Sequence, residues 1–160
     1  MKKIFGSIIV VFLLMIVLAS ATLAAPAAGE RELLLKGSIQ ATETQQGVPP
    51  KIHVNLNGSG NATQLGLFTY SVQAELTVPA LSATNSATFV AADGSTLLAE
   101  GTGQGTPTGT PGVISIVETL SITGGTGRFE GASGNITIQR LVNRATFESS
   151  GTIGGLIVLP

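Results

Sequence analysis

The residue whose placement most invites chemistry is Glu118. In Val113–Thr123, Ile114, Ile116, Leu120 and Ile122 fall on one face of a period-two pattern, and Glu118 falls on that face with them. Val113, Ser115, Val117, Thr119 and Ser121 fall on the other. A carboxylate among aliphatics must be hydrogen-bonded, paired or protonated, because an unpaired buried charge is expensive. One reading makes Glu118 an interior acid or base that polarises a bound molecule. Another makes it a structural partner of Arg128, Arg140 or Arg144, or places it at the end of the fold. A third reverses the faces, since both carry valine or isoleucine.

Other candidates are weaker. His53, the single histidine, lies on the polar face of Lys51–Gly58. With no second histidine and no cysteine it supports neither a transition-metal site nor a catalytic triad. No metal and no cofactor is expected. Tyr70 shares an apolar face with Phe68, so its hydroxyl is expected to find a partner inside. The glycine-rich run from Gly124 to Gly131 lacks the Lys-Ser/Thr of a phosphate loop and has no helix after it. It reads as a tight turn followed by a glycine-punctuated bulge. Asn57-Gly58-Ser59, Asn61-Ala62-Thr63 and Asn135-Ile136-Thr137 match the glycosylation pattern, which matters only in a host that glycosylates.

These residues must be positioned by strands. Among 160 residues, 21 are glycine and 11% are charged. Helix signals are nearly absent after residue 30, while Thr, Val and Ile abound and turn clusters recur. Eight strand candidates follow: Glu32–Thr44, Lys51–Gly58, Leu65–Val78, Asn85–Ala91, Ser95–Gly103, Val113–Thr123, Gly134–Val142 and Arg144–Ile153. Phe68, Tyr70, Val72, Ala74, Leu76 and Val78 share one face of the third, opposite Thr69, Ser71, Gln73, Glu75 and Thr77. Asp93-Gly94 predicts a type I′ hairpin. Gly105–Gly112 reads as a connector, or as a lid over a barrel mouth. The apolar Leu156-Ile157-Val158-Leu159 is expected to tuck against the barrel or a neighbouring subunit. The fold class is all-β, and an eight-stranded antiparallel barrel or a two-sheet sandwich suits it, with closure removing exposed edges.

The N-terminus predicts export. Met1-Lys2-Lys3 precedes an apolar run from Ile4 to Leu18 and small residues from Ala19 to Ala28, the pattern of a cleaved signal peptide. Residues 1–28 are therefore read as leader, with cleavage somewhere in 21–28, and residues 29–160 as one domain. Loss of Lys2 and Lys3 leaves six basic against nine acidic side chains, a net charge of −3. That balance disfavours nucleic acid. No segment of the mature chain is apolar for long enough to span a membrane as a helix. Localisation is expected to be periplasmic or extracellular. With no cysteine, stability must come from the core, the hydrogen-bond ladders or oligomerisation.

A resemblance enters with the run Gly124-Gly125-Thr126-Gly127-Arg128-Phe129-Glu130-Gly131-Ala132-Ser133-Gly134. It resembles the GGTGxFxGAxG signature of the allene oxide cyclase and dirigent barrel superfamily. Leu65-Gly66-Leu67-Phe68-Thr69-Tyr70 resembles a strand of small secreted bacterial proteins of that class. The resemblance implies an eight-stranded antiparallel (calycin-like) barrel, often trimeric, with an apolar interior pocket and no metal or cofactor. In the cyclases the barrel steers ring closure of a fatty-acid epoxide; in dirigent proteins it steers coupling or cyclisation of phenoxy radicals and related intermediates. The cyclases' interior cysteine has no counterpart here, and many secreted bacterial relatives have no known activity. Three functions stay open: a non-enzymatic binder of a small apolar ligand, a cofactor-independent cyclase, isomerase or stereochemical guide, and a structural envelope or matrix protein with a filled core. For the first, Phe68, Tyr70, Ile116, Glu118 and Leu120 are the expected ligand-contacting residues; for the second, Glu118 is the expected catalytic one. A homo-oligomer, by the resemblance a trimer, is the expected assembly.

Overall fold

Period-two alternation carries almost the whole domain into strands. The protein is described by a computed structural model over residues 29–160, and the leader expected at residues 1–28 lies outside the described residues. The strands are β1 (Arg31–Val48), β2 (Lys51–Ala62), β3 (Gly66–Thr77), β4 (Ser82–Ala91), β5 (Thr96–Pro107), β6 (Val113–Gly125), β7 (Ser133–Asn143) and β8 (Glu148–Leu159). Each pairs antiparallel with the next, and β8 returns to β1, closing an eight-stranded barrel. The sandwich alternative is thereby set aside. Among the described residues no helix is long and apolar enough to cross a membrane.

This topology gives the barrel two unlike ends. The β1–β2, β3–β4, β5–β6 and β7–β8 connections lie at one end, and the other three connections and both ends of the domain lie at the other. The second end is plugged. Leu65, Phe89, Leu97, Phe129, Ile136 and Ile157 are almost wholly buried there. Each large apolar side chain so buried stabilises the fold by about 1.5–3 kcal/mol. Phe129 belongs to the 3-10 turn Gly127–Phe129, so the glycine-rich run folds a short helical turn that seals the barrel. The Arg128 guanidinium lies 4.9 Å from the centroid of the Phe129 ring and 3.3 Å from Asp93 Oδ2.

Two local expectations are corrected. Gly94 has φ +82°, but Asp93 does not share a positive φ, so the β4–β5 hairpin is not type I′. Gly94 N donates to Ala91 O, and Ala91 N to Ser95 O, which makes a three-residue loop with glycine in the left-handed position. The eighth strand starts at Glu148 rather than Arg144, and it runs on to Leu159. Asn143 is the cause. Its carbonyl accepts from Phe147 N at 2.7 Å and its Oδ1 from Ala145 N at 2.9 Å, which winds residues 144–147 into a turn. The C-terminal apolar run is thus the second half of β8, paired with Arg31–Leu34 of β1 and with Ser133–Asn135 of β7.

Candidate functional site

Inward-facing positions stack in tiers. Against the plug, Tyr70 stacks on Phe89 with ring centroids 5.8 Å apart, and Phe68 lies 6.0 Å from Tyr70. The facing positions on β2 are Gly58 and Gly60, paired with Tyr70 and Phe68. A side chain at either glycine would run into those rings, so small-opposite-large pairing is what admits the aromatics.

Next comes a belt of buried polar side chains: Glu43 from β1, Asn85 from β4, Glu118 from β6, Arg140 from β7 and Ser149 from β8. Arg140 is the hub. Its Nε donates to Glu118 Oε2 at 3.3 Å, and its Nη1 donates to Glu43 Oε2 at 3.1 Å and to Ser149 Oγ at 3.3 Å. Asn85 Nδ2 donates to the other oxygen of Glu118 at 2.9 Å, and Gln45 Nε2 to the other oxygen of Glu43 at 3.0 Å. Burial pulls the Arg140 guanidinium down, but the charges of Glu118 and Glu43 and their hydrogen bonds outweigh it, so it is held above its ordinary value. Glu118, 4% exposed, does face inward, and of the three arginines weighed for it Arg140 is its partner.

Beyond the belt the barrel is hollow. A cavity of about 230 Å³ opens toward the end formed by the β1–β2 and β3–β4 connections. Its walls are apolar, with Ile52, Val54, Leu76, Ile114, Ile116 and Val142 among them, and Glu43, Asn85, Glu118 and Arg140 form its floor. Arg144 lines it from the β7–β8 turn. β5 leaves the space open by presenting Gly103 and Gly105 at successive inward positions of the cavity wall. A Cβ on Gly103 would stand 3.1 Å from Asn85 Nδ2 and 3.2 Å from Glu118 Cγ. The lid reading of Gly105–Gly112 finds no contact with the cavity beyond Gly105, and residues 106 and 107 continue β5.

Of the residues the sequence offered for a site, Ile116 and Glu118 line this cavity. Phe68, Tyr70 and Leu120 lie in the packed core, where all three are buried. The Tyr70 hydroxyl has no hydrogen-bond partner among the described residues, contrary to expectation, and neither does Asn85 Oδ1. Burial pushes that hydroxyl well above the usual tyrosine range; Arg140 acts against the shift and Glu118 with it. His53 is exposed on the outer wall. Sequence reasoning did not pick out Glu43, Asn85 and Ser149 for a site, nor Arg140 except as a partner. The signal was inward parity: Glu43 continues Ile39 and Ala41, Asn85 leads Ala87 and Phe89, Arg140 follows Ile136 and Ile138, and Ser149 precedes Ile153.

No protein-family model matches the chain, and no curated protein matches it. Solved structures do. The pterocarpan synthase dirigent protein GePTS1 superposes with a TM-score of 0.58 at 15% identity, over 81% of this chain and 90% of that one. The pterocarpan synthase dirigent protein PsPTS1 superposes with a TM-score of 0.56 at 15% identity, over 79% of this chain and 94% of that one. A closed eight-stranded meander with this likeness has the dirigent-type barrel fold.

Proposed function

We propose that the barrel binds a small, mostly apolar molecule in its mouth-end cavity and does so without turning it over. The observation that carries this reading is the cavity of about 230 Å³, apolar in its walls and polar only at its floor. Such a pocket with a few convergent polar groups suits one small ligand. The filled-core alternative describes the plugged end but leaves the hollow end without a purpose. Both oxygens of Glu118 are engaged, by Asn85 and Arg140, which favours binding over acid-base work at that carboxylate.

The second reading, a cyclase, isomerase or dirigent-like stereochemical guide, draws on the likeness to two dirigent proteins and on the opening of Glu118 onto the cavity. Native mass spectrometry of protein purified from its own host tests the first reading. An adduct that survives gentle ionisation and is lost on denaturation is the expected result; a uniformly bare species overturns it. The adduct then serves as a candidate substrate. Turnover that Glu118→Gln abolishes with the fold intact would move the assignment to the second reading.

The reading carries two further parts. A leader within residues 1–28 directs export and is cut off somewhere in 21–28, so N-terminal sequencing should begin within residues 22–29. The protein associates with itself, covering outward apolar side chains such as Leu34, Leu67 and Leu141, so its mass by light scattering should exceed one mature chain.

A further inference from the structure

We infer that the cavity selects a neutral ligand carrying a carbonyl-type acceptor, received by Nη2 of Arg140. The inference rests on the binding reading and names the chemistry of that same site.

It follows from which floor atoms are already used. Each oxygen of Glu43 and of Glu118 accepts a hydrogen bond within the belt, from Gln45, Asn85 or Arg140. Nε and Nη1 of Arg140 are spent on Glu118, Glu43 and Ser149. Nη2 donates to no group among the described residues, and it is not among the sealed, partnerless atoms of the interior. Arg140 lines the cavity floor. A guanidinium has no acceptor to offer, so what this nitrogen can receive is an oxygen or nitrogen lone pair.

Charge decides between acceptors. The charged residues lining the cavity are Glu43 and Glu118 against Arg140 and Arg144, so the site is balanced before a ligand arrives. A carboxylate head would add a charge beside two buried carboxylates. An ammonium head would bring only donors to a floor whose carboxylate oxygens all already accept and whose remaining acceptor, Asn85 Oδ1, is sealed from the cavity. Either would lose its water in an apolar-walled pocket, and the one lining cation without an ion-pair partner among the described residues, Arg144, is exposed in the β7–β8 turn rather than set in the floor. A ketone, ester or amide carbonyl meets the donor at no such cost. The volume sets the size. Since a cavity of ~150 Å³ takes a benzene ring, one of about 230 Å³ takes a molecule of about ten non-hydrogen atoms.

Four probes of equal heavy-atom count on the unaltered protein test this: acetylcyclohexane, isopropylcyclohexane, cyclohexanecarboxylate and 1-cyclohexylethylammonium. Binding is read from saturable shifts in nitrogen-15 correlation spectra, including the Arg140 guanidinium N–H resonances. The ketone should bind at least about tenfold tighter than the hydrocarbon, the worth of one hydrogen bond to a charged donor. It should also bind tighter than both ions, and it should move the Arg140 resonances. If the hydrocarbon or either ion binds as well as the ketone, or the ketone saturates without moving those resonances, the inference falls while the binding reading stands. If none of the four saturates, both fall.

Discussion

Tyr70 is an unusually clean reporter, because it is the only tyrosine and the chain has no tryptophan. Its ring is stacked on Phe89, and its hydroxyl is buried without a partner among the described residues, beneath the charged belt. Burial disfavours the phenolate, so the folded protein holds this proton well above the ordinary value of 10.0. The sign of the stability effect follows. Below that value both the folded and the unfolded chain carry the proton, and Tyr70 contributes its full share. Above it the unfolded chain gives the proton up first, so stability is lost as pH rises. Tyrosinate absorbance should therefore stay flat through pH 10 and appear together with the loss of far-ultraviolet strand signal. A midpoint near the ordinary value in a chain that keeps its fold would show that the hydroxyl reaches solvent.

At the scale of elements, β5 decides whether the barrel has a cavity at all. Its inward positions read Gly101, Gly103 and Gly105, but the three are not equivalent. A Cβ on Gly101 would collide with the backbone of Thr119 across the ladder, which cannot yield without breaking β5–β6 pairing. A Cβ on Gly105 would meet Leu81 Cβ at 3.2 Å and Ile114 Cγ2 at 3.3 Å, side chains that can give a few tenths of an ångström. Gly101→Ala should therefore cost about 1–3 kcal/mol in urea unfolding, as overpacking does. Gly105→Ala should stay within about 1 kcal/mol of the parent and weaken ligand binding by narrowing the cavity. Equal losses for both would mean that the strands shift as freely as the side chains. Most of this element's role was hidden in the sequence, where Gly101-Thr102-Gly103-Gln104-Gly105 looks like the end of a strand and the start of a loop. The strands that alternate, such as β3, were legible because one face is apolar and the other wet. Glu118 was legible for the same reason: it interrupts an aliphatic face. Glu43 interrupts nothing visible, since Glu43-Thr44-Gln45-Gln46 is polar on both faces, and only its parity with Ile39 and Ala41 marks it as inward. The start of β8 was misplaced because Ala145-Thr146-Phe147 has strand-like composition, while the turn is imposed by the Asn143 side chain.

For the whole molecule, closure stands in for the disulfides this chain lacks. β1 is the longest strand, at 18 residues; its last two thirds, from Gly37, pair with β2 and its first two thirds, to Thr42, pair with β8. The β1–β8 seam joins the two ends of the domain, so it is the pairing with the greatest sequence separation and the largest loop-closure cost. Its last residues also seal the plugged end, since Ile157 is fully buried there. Removing Leu156–Pro160 should therefore do more than delete one buried aliphatic. Ile157→Ala leaves the ladder intact and should cost about 2–5 kcal/mol with unfolding still cooperative. The truncation unpairs Arg31–Leu34 and strips Ser133–Asn135 of partners on that side, exposing two strand edges at once. The expected outcome is loss of a cooperative thermal transition together with concentration-dependent association on size exclusion. A truncated chain that melted cooperatively as a discrete species, no less stable than Ile157→Ala, would show that the barrel needs the buried side chain but not its closed ladder. That result would move the origin of stability from closure to the core alone.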